Sequence, residues 1–189
     1  NKGSIRIGGK DIRTILEKDL HTLFGIVMQN DFLFSDTILE NIRFGREISQ
    51  NDIEKATKIS QAYDFIMSFP EGFNHVLSQK ATNISGGQKQ RLLIARALAN
   101  HPEILILDDS SSALDYKTDA NLRKAILQNL EHTTSIIVAQ RVSSVMNADL
   151  IIVLEEGEII GMGNHQDLLS TCEVYREISE SQMGGSFID

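Results

Sequence analysis

The sequence predicts an α/β domain on a mostly parallel sheet, with a helical subdomain inserted in it. Two observations carry the sheet. Ile104-Leu105-Ile106-Leu107 and Ser135-Ile136-Ile137-Val138-Ala139 are apolar runs without alternation, as strands buried on both faces require. Such runs alternate with helical periodicities, the rhythm of parallel strands joined by crossover helices. The third observation is residues 31–99, which are mainly helical and interrupt that rhythm. They read as the insertion, and residues 100–189 as the C-terminal part of the α/β core.

Taken in order, Ser4-Ile5-Arg6-Ile7 alternates like a strand and Gly8-Gly9 turns it. Ile26-Val27-Met28 is a short buried strand. From about Asp36 to Phe69 the pattern is helical. Ser49 with Asp52 makes a helix start ahead of Ile53, Ala56 and Ile59. Pro70-Glu71-Gly72 breaks the chain. Ser85 opens a helix that His101-Pro102 stops. After the 104–107 strand a helix is expected from about Lys117 to Leu130. Leu150–Leu154 is read as a third buried strand, which Glu155-Glu156-Gly157 turns into Glu158-Ile159-Ile160.

The 189 residues suit one domain, and 41% apolar content supports a proper core. A formal charge of -8 argues against broad nucleic-acid binding, which needs basic surface. It leaves a nucleotide site open, because that depends on local N–H groups. The single cysteine, Cys172, has no internal disulfide partner, which suits a reducing cytoplasm. No apolar run is long enough to cross a bilayer, and Asn1-Lys2-Gly3-Ser4 is no signal peptide. The expectation is a soluble chain able to dock on a membrane protein. His21, His75, His101, His132 and His165 show no metal-ligand spacing and read as surface or loop residues.

Ligands of parallel sheets sit beyond the carboxyl ends of strands. That singles out Gln29, Asp108-Asp109 and Gln140. A carboxylate pair there suits magnesium chemistry, one group holding the hydrated ion and its neighbour handling a water, or simply caps the next helix. In Asn83-Ile84-Ser85-Gly86-Gly87-Gln88, two glycines at a helix start let an anion approach bare backbone, with Ser85 as a further donor. An ordinary N-cap has the same composition. The segment is no nucleophile elbow, since Asn83 stands where the first glycine of G-x-S-x-G belongs.

Together these motifs resemble those of ATP-binding-cassette (ABC) ATPases. Ile84-Ser85-Gly86-Gly87-Gln88 is similar to the LSGGQ signature, with Ile84 for leucine. The stretch from Ile104 to Asp115 resembles the Walker B strand and the D-loop, Ser112-Ala113-Leu114-Asp115. Val27-Met28-Gln29, then Phe32-Leu33-Phe34 and Thr37–Ile42, resemble the Q-loop region of the exporter branch. Gly157-Glu158-Ile159 and Gly163-Asn164-His165 through Leu169 match the end of such domains. The resemblance covers almost the whole chain. It implies a P-loop NTPase (RecA-like) core and ATP with Mg2+ as cofactors. It also implies a second ABC ATP-binding domain and a transmembrane domain as partners, at the cytoplasmic face of a membrane. By position, Asp108 and Gln29 would hold the metal. Ser85, Gly86, Gly87 and Gln88 would bind the γ-phosphate of the partner's ATP, and Asp115 would link the two sites. The segment from Asp31 to Ile42 would face the transmembrane domain.

Four departures qualify the resemblance. Nothing fits the P-loop pattern G-x-x-x-x-G-K-[ST]. Gly3 to Lys10 misses its spacing by one residue, and Asp11 stands where Ser or Thr belongs. The expectation is a domain whose N-terminal part, with the P-loop, is missing by truncation; a natural protein without one is the rival. Asp109 stands where the family has glutamate, and Gln140 where it has the switch histidine, ahead of Arg141. Gln79 replaces a common glutamate before the signature. A sound signature beside weakened catalytic positions Asp109 and Gln140 is the pattern of the degenerate half of a heterodimeric exporter. The alternative is a non-catalytic nucleotide-binding regulatory module. Soluble ABC ATPases of DNA repair fit less well, because the spacings leave no room for a coiled-coil insertion.

Overall fold

A computed structural model describes residues 3–183. The chain divides into two compact units, Asn1–Val138 and Ala139–Asp189.

The first unit opens with an antiparallel hairpin of β1 (Arg6–Ile7) and β2 (Lys10–Asp11). Its turn residues Gly8 and Gly9 have φ 54° and 80°, which suits glycine at both turn positions. After α1 (Glu17–Leu23) comes β3 (Phe24–Val27). Then follow α2 (Ile38–Arg43), α3 (Gln50–Ile59), α4 (Tyr63–Met67) and α5 (Gly86–Leu98). The unit closes with β4 (Ile104–Asp108), α6 (Tyr116–Asn129) and β5 (Thr134–Val138). The predicted cap at Ser49 is present, its hydroxyl accepting from the Asp52 N–H at 3.2 Å.

Strands β3, β4 and β5 form one parallel sheet in that order, with Val27 opposite Leu107 and Asp108 opposite Val138. Val27, Leu105 and Leu107 belong to one buried cluster with Leu92, Leu93 and Ile94 of α5 and with Ile38, Ile42, Ile53 and Ile66 of the other helices. Gly25 shows how tightly α5 lies on β3: a β-carbon there would stand 2.4 Å from the Ala97 carbonyl oxygen.

A buried polar knot holds the insertion together. Arg96 of α5 donates from Nε to the Asn41 carbonyl at 2.8 Å and from Nη1 to the Phe32 carbonyl at 3.0 Å. Its guanidinium stacks on Phe44, 4.5 Å from the ring centroid. Asn41 itself accepts from the Phe34 N–H at 2.7 Å and donates back to the Phe34 carbonyl at 3.0 Å. Burial costs a cation dearly unless its donors are met, and here carbonyls meet them.

The second unit contains α7 (Val142–Val145), β6 (Ile151–Glu155), β7 (Glu158–Gly163), α8 (His165–Thr171) and α9 (Glu173–Met183). Its core is Val142, Ile151, Leu168, Cys172 and Tyr175.

Two strand expectations need correction. Residues 150–154 are not a strand buried throughout: Ile152 and Leu154 are 49% and 66% exposed, and β6 turns through Glu156 and Gly157, φ 48° and 84°, into an antiparallel pair with β7. An apolar run reads alike in a parallel strand and in a hairpin, and the positive-φ turn decided between them. Nor is β5 buried on both faces, since Val138 is 54% exposed. Two of the surface or loop histidines have defined partners. His75 stacks on Phe69, and His165 Nδ1 lies 2.8 Å from the Tyr175 hydroxyl.

Candidate functional site

Parallel pairing brings the ends of β3 and β4 level, so Gln29 and Asp109, each two residues past a paired position, meet. Gln29 Nε2 donates to Asp109 Oδ2 at 3.3 Å. Asp108 is the last residue of β4 and half-buried. Asp109 has left-handed backbone, φ 47°, and its N–H bonds the Val138 carbonyl at 2.9 Å. Aspartate is among the few residues that adopt this conformation readily. The aspartates do not cap α6; that cap is Asp115, further along.

The 84–88 segment forms a complete capping box. Ser85 Oγ accepts from the Gln88 N–H at 3.2 Å, and Gln88 Oε1 accepts from the Ser85 N–H at 2.8 Å. The glycine N–H groups between them belong to the first turn, where no intrahelical carbonyl is available. A β-carbon on Gly86 would meet nothing within 4 Å, so this side of the turn is open. One on Gly87 would stand 3.2 Å from the Ala113 carbonyl oxygen, so the turn rests on the 110–115 loop. Gln88 spends its amide oxygen inside the cap and keeps only its NH2 for a ligand.

Asp115 is committed locally. Its two oxygens accept from the Thr118 N–H at 2.9 Å and the Thr118 hydroxyl at 2.7 Å. The backbone bond first, and the hydroxyl second, hold its carboxyl below the ordinary carboxylate range. Gln140 lies in the second unit and is exposed; its carbonyl accepts from Gln182 Nε2 at 2.8 Å. The same Gln182 amide accepts from the Val142 N–H at 2.8 Å, so α9 pins the backbone on both sides of Arg141.

Sequence reasoning passed over Arg91, whose Nε donates to the Gly87 carbonyl of the signature turn at 3.3 Å, and over the Arg96–Asn41 knot. Arg91 donates to the Gln61 carbonyl at 2.7 Å and stacks on Phe65, with 4.7 Å to the centroid. Burial is the main influence lowering its pKa, opposed by the nearby charges of Asp115 and Asp64. A cation inside the apolar stretch of α5 was the available signal for Arg96. Asn41 between two buried isoleucine positions was the signal for the other half of that knot.

Among the described residues no group of three or more His, Cys, Asp or Glu side chains could hold a metal ion by itself. Mg2+ commonly takes one or two carboxylates and completes its shell with waters and phosphate oxygens, and Asp108 and Gln29 are the residues expected to face it.

Residues 1–112 match the ABC transporter family. The ABC transporter ATP-binding protein YfiB of Bacillus subtilis is 45% identical over 97% of this chain and 32% of its own length. Human ATP-binding cassette sub-family B member 6 is 39% identical over 97% of this chain and 22% of its own length. The chain thus spans a third or less of these relatives. The structure of a bacterial Atm1-family ABC exporter with ATP bound superposes with a TM-score of 0.90 at 36% identity, covering 96% of this chain and 32% of that one. No helix among the described residues is long and apolar enough to cross a membrane. Matching motifs, fold and relatives agree: the chain belongs to the ABC transporter family, as an ATP-binding domain of the exporter type.

Proposed function

We propose that this chain works in an exporter that closes around ATP and Mg2+, and that it completes its partner's site better than its own. The observation that carries this is the contrast within one unit. The turn at 85–88 is fully capped and open at Gly86. The carboxylate at the end of β4 is the short Asp109. Aspartate reaches about 1.5 Å less than glutamate, one carbon–carbon bond. A general base out of hydrogen-bond range of its water forfeits roughly 10²–10⁴-fold in rate.

In this reading Asp108 and Gln29 take the hydrated Mg2+, which neutralises phosphate charge when bound. Asp109 orients water poorly. Gln140 can donate an amide N–H to a phosphate oxygen and cannot carry a proton. Ser85, Gly86, Gly87 and the Gln88 NH2 receive the phosphate of the neighbour's nucleotide, with Asp115 at the junction. The neighbour is a non-identical ABC domain with glutamate and histidine at the matching positions.

Residues 31–99 act as the helical subdomain, residues 100–189 complete the core, and the assembly works at the cytoplasmic face of a membrane. Docking of a transmembrane domain near residues 31–42 is supported by an exposed aromatic cluster: Phe32 and Phe34 centroids lie 5.1 Å apart, Phe34 and Phe44 5.6 Å. A shallow cleft of about 540 Å³ adjoins it, lined by Glu40, Arg43, Arg46 and Ile48 among others.

The second reading, a regulatory module in which ATP only holds domains together, is favoured by the same Asp109 and Gln140. Phosphate release by the purified full-length protein with its partner separates them. Turnover above background supports the exporter engine; binding without release supports the module.

A further inference from the structure

We propose that His75 is a positioning residue for the 84–88 turn, acting through Asn83 in one neutral tautomer, so that its protonation loosens the turn. The inference rests on the reading of 84–88 as a phosphate-binding turn, but its test does not.

The assignment starts at Asn83, whose amide orientation is settled by its neighbours. Asn83 Oδ1 accepts from the Ser78 N–H at 2.9 Å and from the Ser78 hydroxyl at 3.1 Å. Asn83 Nδ2 donates to the Val76 carbonyl at 3.1 Å. A flipped amide would set an NH2 against the Ser78 N–H and an oxygen against the Val76 carbonyl. The Nδ2 group therefore faces His75 Nε2, at 3.4 Å, and Nε2 must accept. The ring proton then sits on Nδ1, which lies 3.2 Å from Glu71 Oε2 and donates to it. That bond, more than any other influence, holds the Glu71 carboxyl below the ordinary range. The ring is clamped flat on Phe69, centroids 3.9 Å apart and planes 4° apart, so it is poorly placed to swing away.

The groups around the ring come from every side of the loop. Glu71 is the titratable group in hydrogen-bond contact with it. The segment after α4 presents the Phe69 ring, and residues 78–83 present the neutral Asn83 amide. α2 meets His75 through the Ile38 N–H on its carbonyl, at 3.0 Å. Protonation puts a second donor on Nε2, facing an Asn83 amide that already donates and cannot flip. The Glu71 bond survives, so the disturbance goes to Asn83, two residues before the Ser85 cap. Residues 75–78 are in turn bonded to the stretch ahead of α2: the Leu77 N–H donates to the Asp36 carbonyl at 2.9 Å. His75 thus stands between that stretch and the 84–88 turn.

The test is 15N NMR of the His75 ring with hydrogen exchange of amides 78–88, across the imidazole titration range of about pH 5 to 8. At the basic end we expect the Nδ1–H tautomer. On acidification, protection corrected for intrinsic exchange should fall about fivefold, the equivalent of one lost hydrogen bond. Asn83→Asp offers protonated Nε2 an anionic acceptor and should reverse the sign, with protection rising on acidification. His75→Gln should abolish the pH dependence. A merely structural histidine would not yield that inversion. The Nε2–H tautomer at the basic end, or the same slope in Asn83→Asp as in the parent, would overturn the proposal. Either result leaves the exporter reading untouched, and a failure of phosphate release would leave the tautomer untouched.

Discussion

Gln29 Nε2 and Asp109 Oδ2, eighty positions apart in sequence, meet at 3.3 Å because β3 and β4 run parallel in a register that levels their ends. The bond ties the predicted metal-side glutamine to the predicted base, and it uses an aspartate whose backbone is left-handed. Asp109→Glu therefore trades reach against backbone fit. It should cost about 0.5–1 kcal/mol of stability, because the longer side chain tolerates positive φ less well. Denaturant titration of the two chains checks this; an unchanged midpoint would mean the strain is relieved elsewhere.

Lys80 offers the opposite case. It precedes Ala81, and both have positive φ, 60° and 53°. Left-handed backbone costs a residue with a β-carbon roughly 1–2 kcal/mol, and glycine gives back part of that as chain entropy. Lys80→Gly, at an exposed position where no buried methyl is lost, should stabilise the chain by roughly 0.5–1 kcal/mol, read as a rise in thermal midpoint.

Gly25 is a packing constraint and no turn. A methyl there would meet the Ala97 carbonyl oxygen at 2.4 Å and the Pro102 ring at 2.9 Å. Gly25→Ala should push α5 off β3 and cost about 1–3 kcal/mol, measured by chemical denaturation.

Several elements were legible because their cause is local. Ser49 and Ser85 each supply an oxygen to an amide three residues on, and Pro102 ends α5 wherever the helix lies in space. Other features were set by distant groups. Nothing beside Leu150–Leu154 announces whether its partner is parallel or antiparallel, and only the Glu156-Gly157 turn pointed to β7. The Arg96–Asn41 knot joins residues fifty-five positions apart. His75 was read as a surface or loop residue because its contacts to Phe69 and Asn83 appear only once residues 69–83 fold back on themselves. Gln29 and Asp109 stood out as polar residues at strand ends and the 84–88 turn as glycines at a helix start, with the resemblance adding their roles, while the bond between the first two required the sheet register.

Acid should weaken the start of α6. The Asp115 carboxyl titrates below the ordinary carboxylate range because Thr118 bonds it. A group lowered in the folded state contributes stability above its unfolded value, about 3.9, and loses it as pH falls through the folded value. Asp115→Asn caps nearly as well and does not titrate. The stability of this variant should fall less between pH 7 and pH 3 than that of the parent, in paired denaturation curves.

The most direct measurement of the central claim compares two lesions in the full-length protein assembled with its partner, by phosphate release. Ser85→Ala with Gly86→Asp spoils the turn offered to the neighbour's nucleotide and is predicted to abolish turnover. Asp109→Ala removes a base already short of reach and is predicted to leave most of it. Equal losses from the two would contradict the account, because they would mean that both sites hydrolyse alike.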